Sequence, residues 1–381
     1  MVDINHKYLH PISGGVVMDY NKFIFDKIIA VFLFGFMVNG LGLPIDKLFL
    51  FVFLLYLVFV TVFQLSINAF NLSILCFWVL LAFSSSIFNL TFKPMIFYPV
   101  VGIFFIFVIV KIQWIRTFHQ TLFIYILLSC ILGILAYING PNLAVTSMAD
   151  KGLPFILPFK GFASTVQTFG TLCILWIVLN FELVKKKFGF QFFIVMISLF
   201  LTFNRSSFLF LFIILSVYSR KFFFISAFFL LIGIVVFYEQ LYAFIFNMGT
   251  IQSRSELLQG FYLSFWNNNT FFGYLLGKGD NFYAPEIVSR VKWDHRPDIE
   301  NGYAMLLHTY GFLGLFGYIV SSFLLLIYTF FISKAYKLSI VLFFYLFVTQ
   351  FFTQEFVTNV FYLFIASILT VIQYKNENIS N

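Results

Sequence analysis

Charge is what this sequence has least of. Only 10% of its 381 residues are Asp, Glu, Lys or Arg, while 61% are apolar, and the mean hydropathy is +0.98. A soluble domain carries roughly 25% charged residues, so too little polar surface is present here to cover a soluble globule. Cysteine is scarce as well. Cys76, Cys130 and Cys173 each fall inside an apolar run, with no CxxC or Cys/His spacing, so they read as small buried hydrophobes rather than as a redox or metal motif. There is no internal repeat of solenoid period, and no low-complexity linker beyond the NNNT turn at 267–270. The string GYLLGKGD is not a phosphate-binding loop: its spacing is one residue short, and Gly279 stands where Ser or Thr would hold magnesium. An ATP-driven pump is therefore unsupported. The first 22 residues are polar and lack a basic-then-apolar stretch with a small-residue cleavage site, so the first apolar span is expected to be retained.

What is present is membrane-length apolar sequence. The 61 Phe and 20 Tyr, against 22 Gly, read as compositional bias and carry no function. The fold expected is an all-α polytopic membrane protein, one membrane domain over residues 1–381. About twelve spans are placed near 24–43, 48–65, 68–88, 94–112, 119–138, 162–184, 189–203, 206–219, 222–239, 303–332, 338–352 and 356–373, most of them of the length a bilayer requires. The formal net charge is +8, but most basic residues flank these spans. Headgroup attraction and the positive-inside rule account for them, and no nucleic-acid partner is implied. Lys7, Lys22, Lys27, Lys111, Arg116, Lys185, Lys186, Lys187, Arg220, Lys221, Lys334, Lys337 and Lys375 all fall on one side if the spans number twelve. Both termini are then cytoplasmic. The connections at 139–161 and 240–302 are extracytoplasmic, the second being a long loop. The first of these holds Pro154 and Pro158 before Lys160 and Gly161, an ordered turn leading into the next span.

The run 188–218 holds Asn204 and Arg205 at its centre. One long helix would put Arg205 at mid-membrane, at a cost of roughly 3 kcal/mol or more. Two short helices meeting at TFNRSS bring it to the outer surface and keep both basic clusters on the same side, so a hairpin is expected.

Residues 253–314 gather most of the chemistry-bearing side chains. Arg254 heads an amphipathic stretch, Leu257, Leu258, Phe261, Tyr262 and Phe265, spaced for a helix along the membrane interface. Arg205 and Arg254 read either as headgroup anchors or as fixed cations for a diphosphate, which guanidinium matches bidentately. Glu300 precedes a long apolar run; it is either a charge favoured by a helix dipole, with Asn301 as cap, or a general base at an apolar wall. His308 lies about two helical turns further on and reads more readily as packed than as catalytic. Asp294, His295, Arg296 and Asp298 read as a salt-bridged turn, not a metal site.

Three segments carry a resemblance to the O-antigen polymerase and O-antigen ligase superfamily of bacterial membrane glycosyltransferases. LTFNRSS (201–207) resembles its Thr-x-Ser-Arg hairpin. SRSELLQGFYLSFWNNNTFFGYLLGKG (253–279) resembles its Arg-led amphipathic stretch ending in a Gly-x-Gly turn. ENGYAMLLHTYGFLGLFGY (300–318) resembles its acid-or-His, Asn, aromatic, Gly-x-x-Gly helix. The chain departs from the pattern at Asn204, where Ser is usual, and at Glu300, where ligases carry His; the second departure favours the polymerases. The resemblance covers the second half of the chain, and the first five spans match in topology alone.

It implies a fold like that of the multi-span GT-C glycosyltransferases, in the bacterial inner membrane. It also implies glycan transfer from undecaprenyl diphosphate to the non-reducing end of a lipid-linked repeat unit, with inversion and with no metal or cofactor. Arg205 and Arg254 would stabilise the leaving diphosphate, with Lys160 as a further cation. Glu300 would take the acceptor proton, and Asn301 and Tyr303 would position sugar. Arg290, His295, Arg296 and His308 complete the expected substrate site. A chain-length regulator and a flippase in the same membrane are the partners implied. The alternatives are a ligase acting on lipid A–core, and a flippase or other transporter of lipid-linked oligosaccharide. A transporter, however, is expected to carry charge at mid-membrane and two similar halves.

Overall fold

The structure, a computed structural model, describes residues 27–40, 45–61, 69–110, 114–147, 156–184, 188–236, 248–267, 270–279, 285–288, 301–353 and 355–380. Among these the chain is all-helical, with no sheet; a single isolated bridge joins Val145 to Phe159. The helices are α1 (Lys27–Met37), α2 (Ile45–Thr61), α3 (Ala69–Phe88), α4 (Tyr98–Ile109), α5 (Ile115–Asn139), α6 (Val166–Leu183), α7 (Phe190–Phe200), α8 (Arg205–Tyr218) and α9 (Arg220–Val236). They continue with α10 (Met248–Trp266), α11 (Phe271–Leu276), α12 (Pro285–Val288), α13 (Gly302–Ile327), α14 (Tyr336–Phe343) and α15 (Asn359–Ser380).

Among the described residues, four stretches are long and apolar enough to cross a membrane: Asn71–Phe88, Ile115–Asn139, Val166–Leu183 and Gly302–Ile332. Large apolar side chains on several helices face outward, among them Phe190 at 81% and Phe316 at 66% exposure. Water does not tolerate so many exposed apolar faces, whereas lipid does. The chain is accordingly read as a multi-pass membrane protein.

Several expected spans are shorter than the sequence suggested. The span placed at 94–112 begins with a 3-10 turn, Pro94–Phe97, and its α-helix starts only at Tyr98 with Pro99 in the first turn. Proline lacks the N–H that an interior position needs, so a helix starts at it rather than running through it. The twelve residues of α4 cover about 18 Å. The span placed at 338–352 is present as one helical stretch, Tyr336–Phe351, in which α14 passes into a π turn, Phe344–Val348, and a 3-10 turn, Thr349–Phe351. The long loop placed at 240–302 is partly helical, holding α10, α11 and α12.

Helix α6 is the central post. Its residues are almost all buried, and α5, α7, α8 and α15 pack around it. Helix α13 packs on α3, α10 and α11. Its path is kinked at Gly311, whose φ of +65 and ψ of −161 leave the helical region. A Cβ there would sit 2.4 Å from the Leu275 carbonyl oxygen, and one at Gly277, itself at φ +73, would sit 2.5 Å from the Gly311 nitrogen. Only glycine fits both positions. The kink takes the His308 and Thr309 carbonyls out of the helix ladder, and they accept instead from the Lys278 and Gly279 N–H groups at 2.7 and 3.2 Å. Gly277 is thus docked on Gly311 of α13, and Gly279 on Thr309 just before it. The cysteines divide: Cys130 and Cys173 are buried as expected, but Cys76 is exposed, on a face of α3 turned away from the bundle.

Candidate functional site

The hairpin expected at TFNRSS is present. Helix α7 ends at Phe200 and α8 begins at Arg205. The Thr202 hydroxyl donates to the Leu199 carbonyl at 2.7 Å, Phe203 takes φ +48, and the Asn204 side chain caps α8 by accepting from the Ser206 N–H at 3.1 Å. A left-handed non-glycine residue is strained by roughly 1 kcal/mol, and the flanking side-chain bonds hold it. Arg205 is therefore the first residue of α8, half-buried. The helix dipole there adds to its positive charge, so the position disfavours a cation alone and favours an anion beside it.

Several other candidates converge on this end of the bundle. The Phe159 N–H donates to the Leu201 carbonyl at 2.9 Å, which ties the segment of Lys160 to the turn before Arg205. Ser206 and Leu209 of α8 meet Val348, Thr349 and Phe352 of the segment following α14 across an apolar crevice of about 10 Å³, too small for a ligand. That same segment anchors the start of α13. Asn301 caps the helix by accepting from the Ala304 N–H at 2.9 Å, and its amide reaches the Phe351 carbonyl. Tyr303 donates to the Phe347 carbonyl at 2.8 Å and packs its ring 4.9 Å from that of Phe351. The N-termini of α6, α8 and α13 thus share one end with Arg205, Asn301 and Tyr303.

The sequence reading missed the carboxylate at this end. Glu355 lies in the connection between the 336–351 helical stretch and α15, is only 4% exposed, and links three segments. The Thr171 hydroxyl donates to its Oε1 at 2.5 Å and the Tyr345 hydroxyl to its Oε2 at 2.6 Å. Burial pushes its carboxyl up to about 7, against the pull of those two donors. The signal was there: between Lys337 and Lys375, Glu355 is the only charged residue, and an acid set alone among apolar stretches needs hydrogen-bond donors if it is buried. Beside it Gln350 is fully buried, with neither amide atom partnered among the described residues. Gly302 makes room for it, since a Cβ there would meet Gln350 Oε1 at 2.2 Å.

His308 is built into a different cluster. It is 1% exposed, packs its ring 4.9 Å from that of Phe261, and sets Nε2 3.4 Å from Ser264 Oγ. Lys278 Nζ donates to that same hydroxyl at 3.4 Å. Burial lowers the Lys278 pKa, and Glu286 partly offsets the effect. Arg254 falls in the second turn of α10. The apolar face of that helix packs on protein, with Phe261 against Ile287 and Ala304 and with Leu257 and Leu258 beside them. Tyr262, grouped with that face by its spacing, instead points outward. Glu300, Arg290, His295 and Arg296 lie outside the described residues. Among the described residues no group of three or more His, Cys, Asp or Glu side chains is placed to hold a metal ion. No protein-family model matches the sequence, and no curated protein matches it.

Proposed function

We propose that the chain is an inner-membrane glycosyltransferase of the polysaccharide-polymerase type, extending a lipid-linked glycan from an undecaprenyl diphosphate donor. The observation that carries this reading is the position of Arg205. It opens α8 beside the segment on which both Asn301 and Tyr303 are anchored. A guanidinium and a helix N-terminus acting together suit a diphosphate better than any neutral ligand.

On this reading the chain crosses the membrane twelve times in a GT-C-like arrangement, with both termini cytoplasmic. The end holding Arg205 is extracytoplasmic, where neither ATP nor nucleotide sugars are supplied. A lipid diphosphate donor needs neither, because its leaving group is already activated. The acceptor hydroxyl gives its proton to the Glu300 carboxylate while its oxygen bonds to the anomeric carbon, inverting it. The bond from that carbon to the diphosphate oxygen breaks, and the electron pair leaves with the diphosphate. Arg205 and Arg254, with Lys160 near the same turn, stabilise the charge that develops. Asn301 and Tyr303 set the mouth of α13 against the sugar, with Arg290, His295 and Arg296 as further substrate-binding residues. A chain-length regulator and a flippase in the same membrane are the partners this reaction calls for.

The test is polymer formation by purified protein supplied with undecaprenyl diphosphate repeat units and read as product length on a gel. Arg205→Ala should abolish polymer while the protein stays folded, and Arg205→Lys should restore little, because the bidentate fork is lost. Polymer at wild-type level from the alanine variant would reduce Arg205 to a headgroup anchor and remove the basis of the reading.

A further inference from the structure

The end of the bundle opposite Arg205 holds a second, unrelated feature. Tyr218 closes α8 thirteen residues beyond Arg205, roughly 20 Å along the axis. There the ends of α6 and α8 meet the start of α14 and the last turns of α15 around an open cleft of about 430 Å³, lined by Phe181, Glu182, Tyr218, Lys337 and Lys375 among others. Its charged groups form a row. Lys375 and the Tyr218 hydroxyl both donate to the Glu182 carboxylate, and Lys337 Nζ lies 5.3 Å from the centroid of the Tyr218 ring. Glu182 is 5% exposed and Lys375 is 43% exposed. No carboxylate pairs with Lys337 among the described residues. Among the described lining residues two ammonium groups therefore face one carboxylate, one positive charge in excess.

The C-terminal poles of α6 and α8 account for lysines gathering here, but they do not account for a cavity of this size. Its surroundings point to lipid. The 18 residues of α6 cover about 27 Å, so its two ends lie near the two head-group levels of a bilayer. Phe181 stacks on Tyr218 and packs edge-on against Phe188. Phe188, Phe190 and Tyr336 are exposed around the same end, as interfacial aromatic side chains are. Lys185, Lys186, Lys187, Arg220 and Lys221 follow α6 and α8 in sequence and make this the basic end of the chain.

We propose that this cleft binds the phosphodiester of an anionic phospholipid head group, with Lys337 and Lys375 as its cationic contacts and the aromatic rim against the acyl chains. The proposal rests on the membrane reading and not on glycosyl transfer. Native mass spectrometry of the full-length protein, released from detergent with phosphatidylglycerol, phosphatidylcholine or inorganic phosphate added, tests it. Phosphatidylglycerol should be retained in preference to phosphatidylcholine. Lys337→Gln, at an exposed position, should lose about fivefold in bound phosphatidylglycerol, the order expected for one lysine at an anionic surface. Lys337→Arg should keep it, and Lys221→Gln, at the same end but outside the cleft lining, should not differ from wild type. Equal retention of the two lipids by wild type, or of phosphatidylglycerol by wild type and Lys337→Gln, would overturn the proposal. So would Lys337-dependent retention of inorganic phosphate without lipid, which would make the cleft a site for a free anion.

Discussion

Glu355 gives a pH dependence that can be worked out in advance. In the native protein burial holds its carboxyl up to about 7, against an ordinary 4.5. Between those values the native state keeps a proton that the unfolded chain has released, so native binds more protons and stability falls as pH rises. The gap from 4.5 to about 7 corresponds to roughly 3 kcal/mol, absent below pH 4.5 and fully felt above pH 7. Glu355→Gln removes the titration while keeping the shape. Its carbonyl still accepts from Tyr345, and its amide can donate to the Thr171 oxygen once that hydroxyl turns. Unfolding of the detergent-solubilised protein, followed by fluorescence of its buried tryptophans from pH 5 to 8, should show the wild type losing stability across that window relative to the Gln variant. Tyr345→Phe, which deletes a donor that favours the charged form, should move the falling limb to higher pH. Parallel profiles for wild type and Glu355→Gln would refute the reasoning, because they would mean that the carboxyl either never holds the extra proton or reaches water.

Other expectations follow from particular residues. Glu300→Gln should slow polymer formation by roughly 10²- to 10⁴-fold if Glu300 is the base, with donor binding retained, as measured by turnover and lipid binding of the purified protein; long polymer from this variant would remove it from the mechanism. Gly311→Ala should destabilise by about 3 kcal/mol or more, since it combines a strained φ with a backbone clash against Leu275, and thermal unfolding against wild type reads it. Single cysteines at Asp280 or Asp298 should react with an impermeant thiol reagent that reaches the outer face of the membrane, and one at Lys186 should not. The opposite pattern would reverse the proposed orientation and with it the side on which Arg205 lies.

Local sequence determined where several of the helices form and begin. Apolar runs of sufficient length become helices, Asn301 caps α13, and the cost of Arg205 at mid-membrane predicts the turn that the structure places before it. Spacing placed Leu257, Leu258, Phe261 and Phe265 on one face of α10, but that face was expected against the membrane interface and packs on protein instead, with Tyr262 turned outward. The tertiary structure decided what those helices bring together. Glu355 meets Thr171, 184 positions away, Gly277 seats against Gly311, and Glu182 meets Lys375 across the far end of the bundle. In a soluble protein, periodicity shows which face of a helix is buried, because the other face is polar. Here lipid and protein interior are both apolar, so the pattern on α3 does not show that Cys76 faces out while Trp78 is buried. The inward faces, and the buried acid they enclose, were therefore fixed by packing between helices rather than by the order of residues within them.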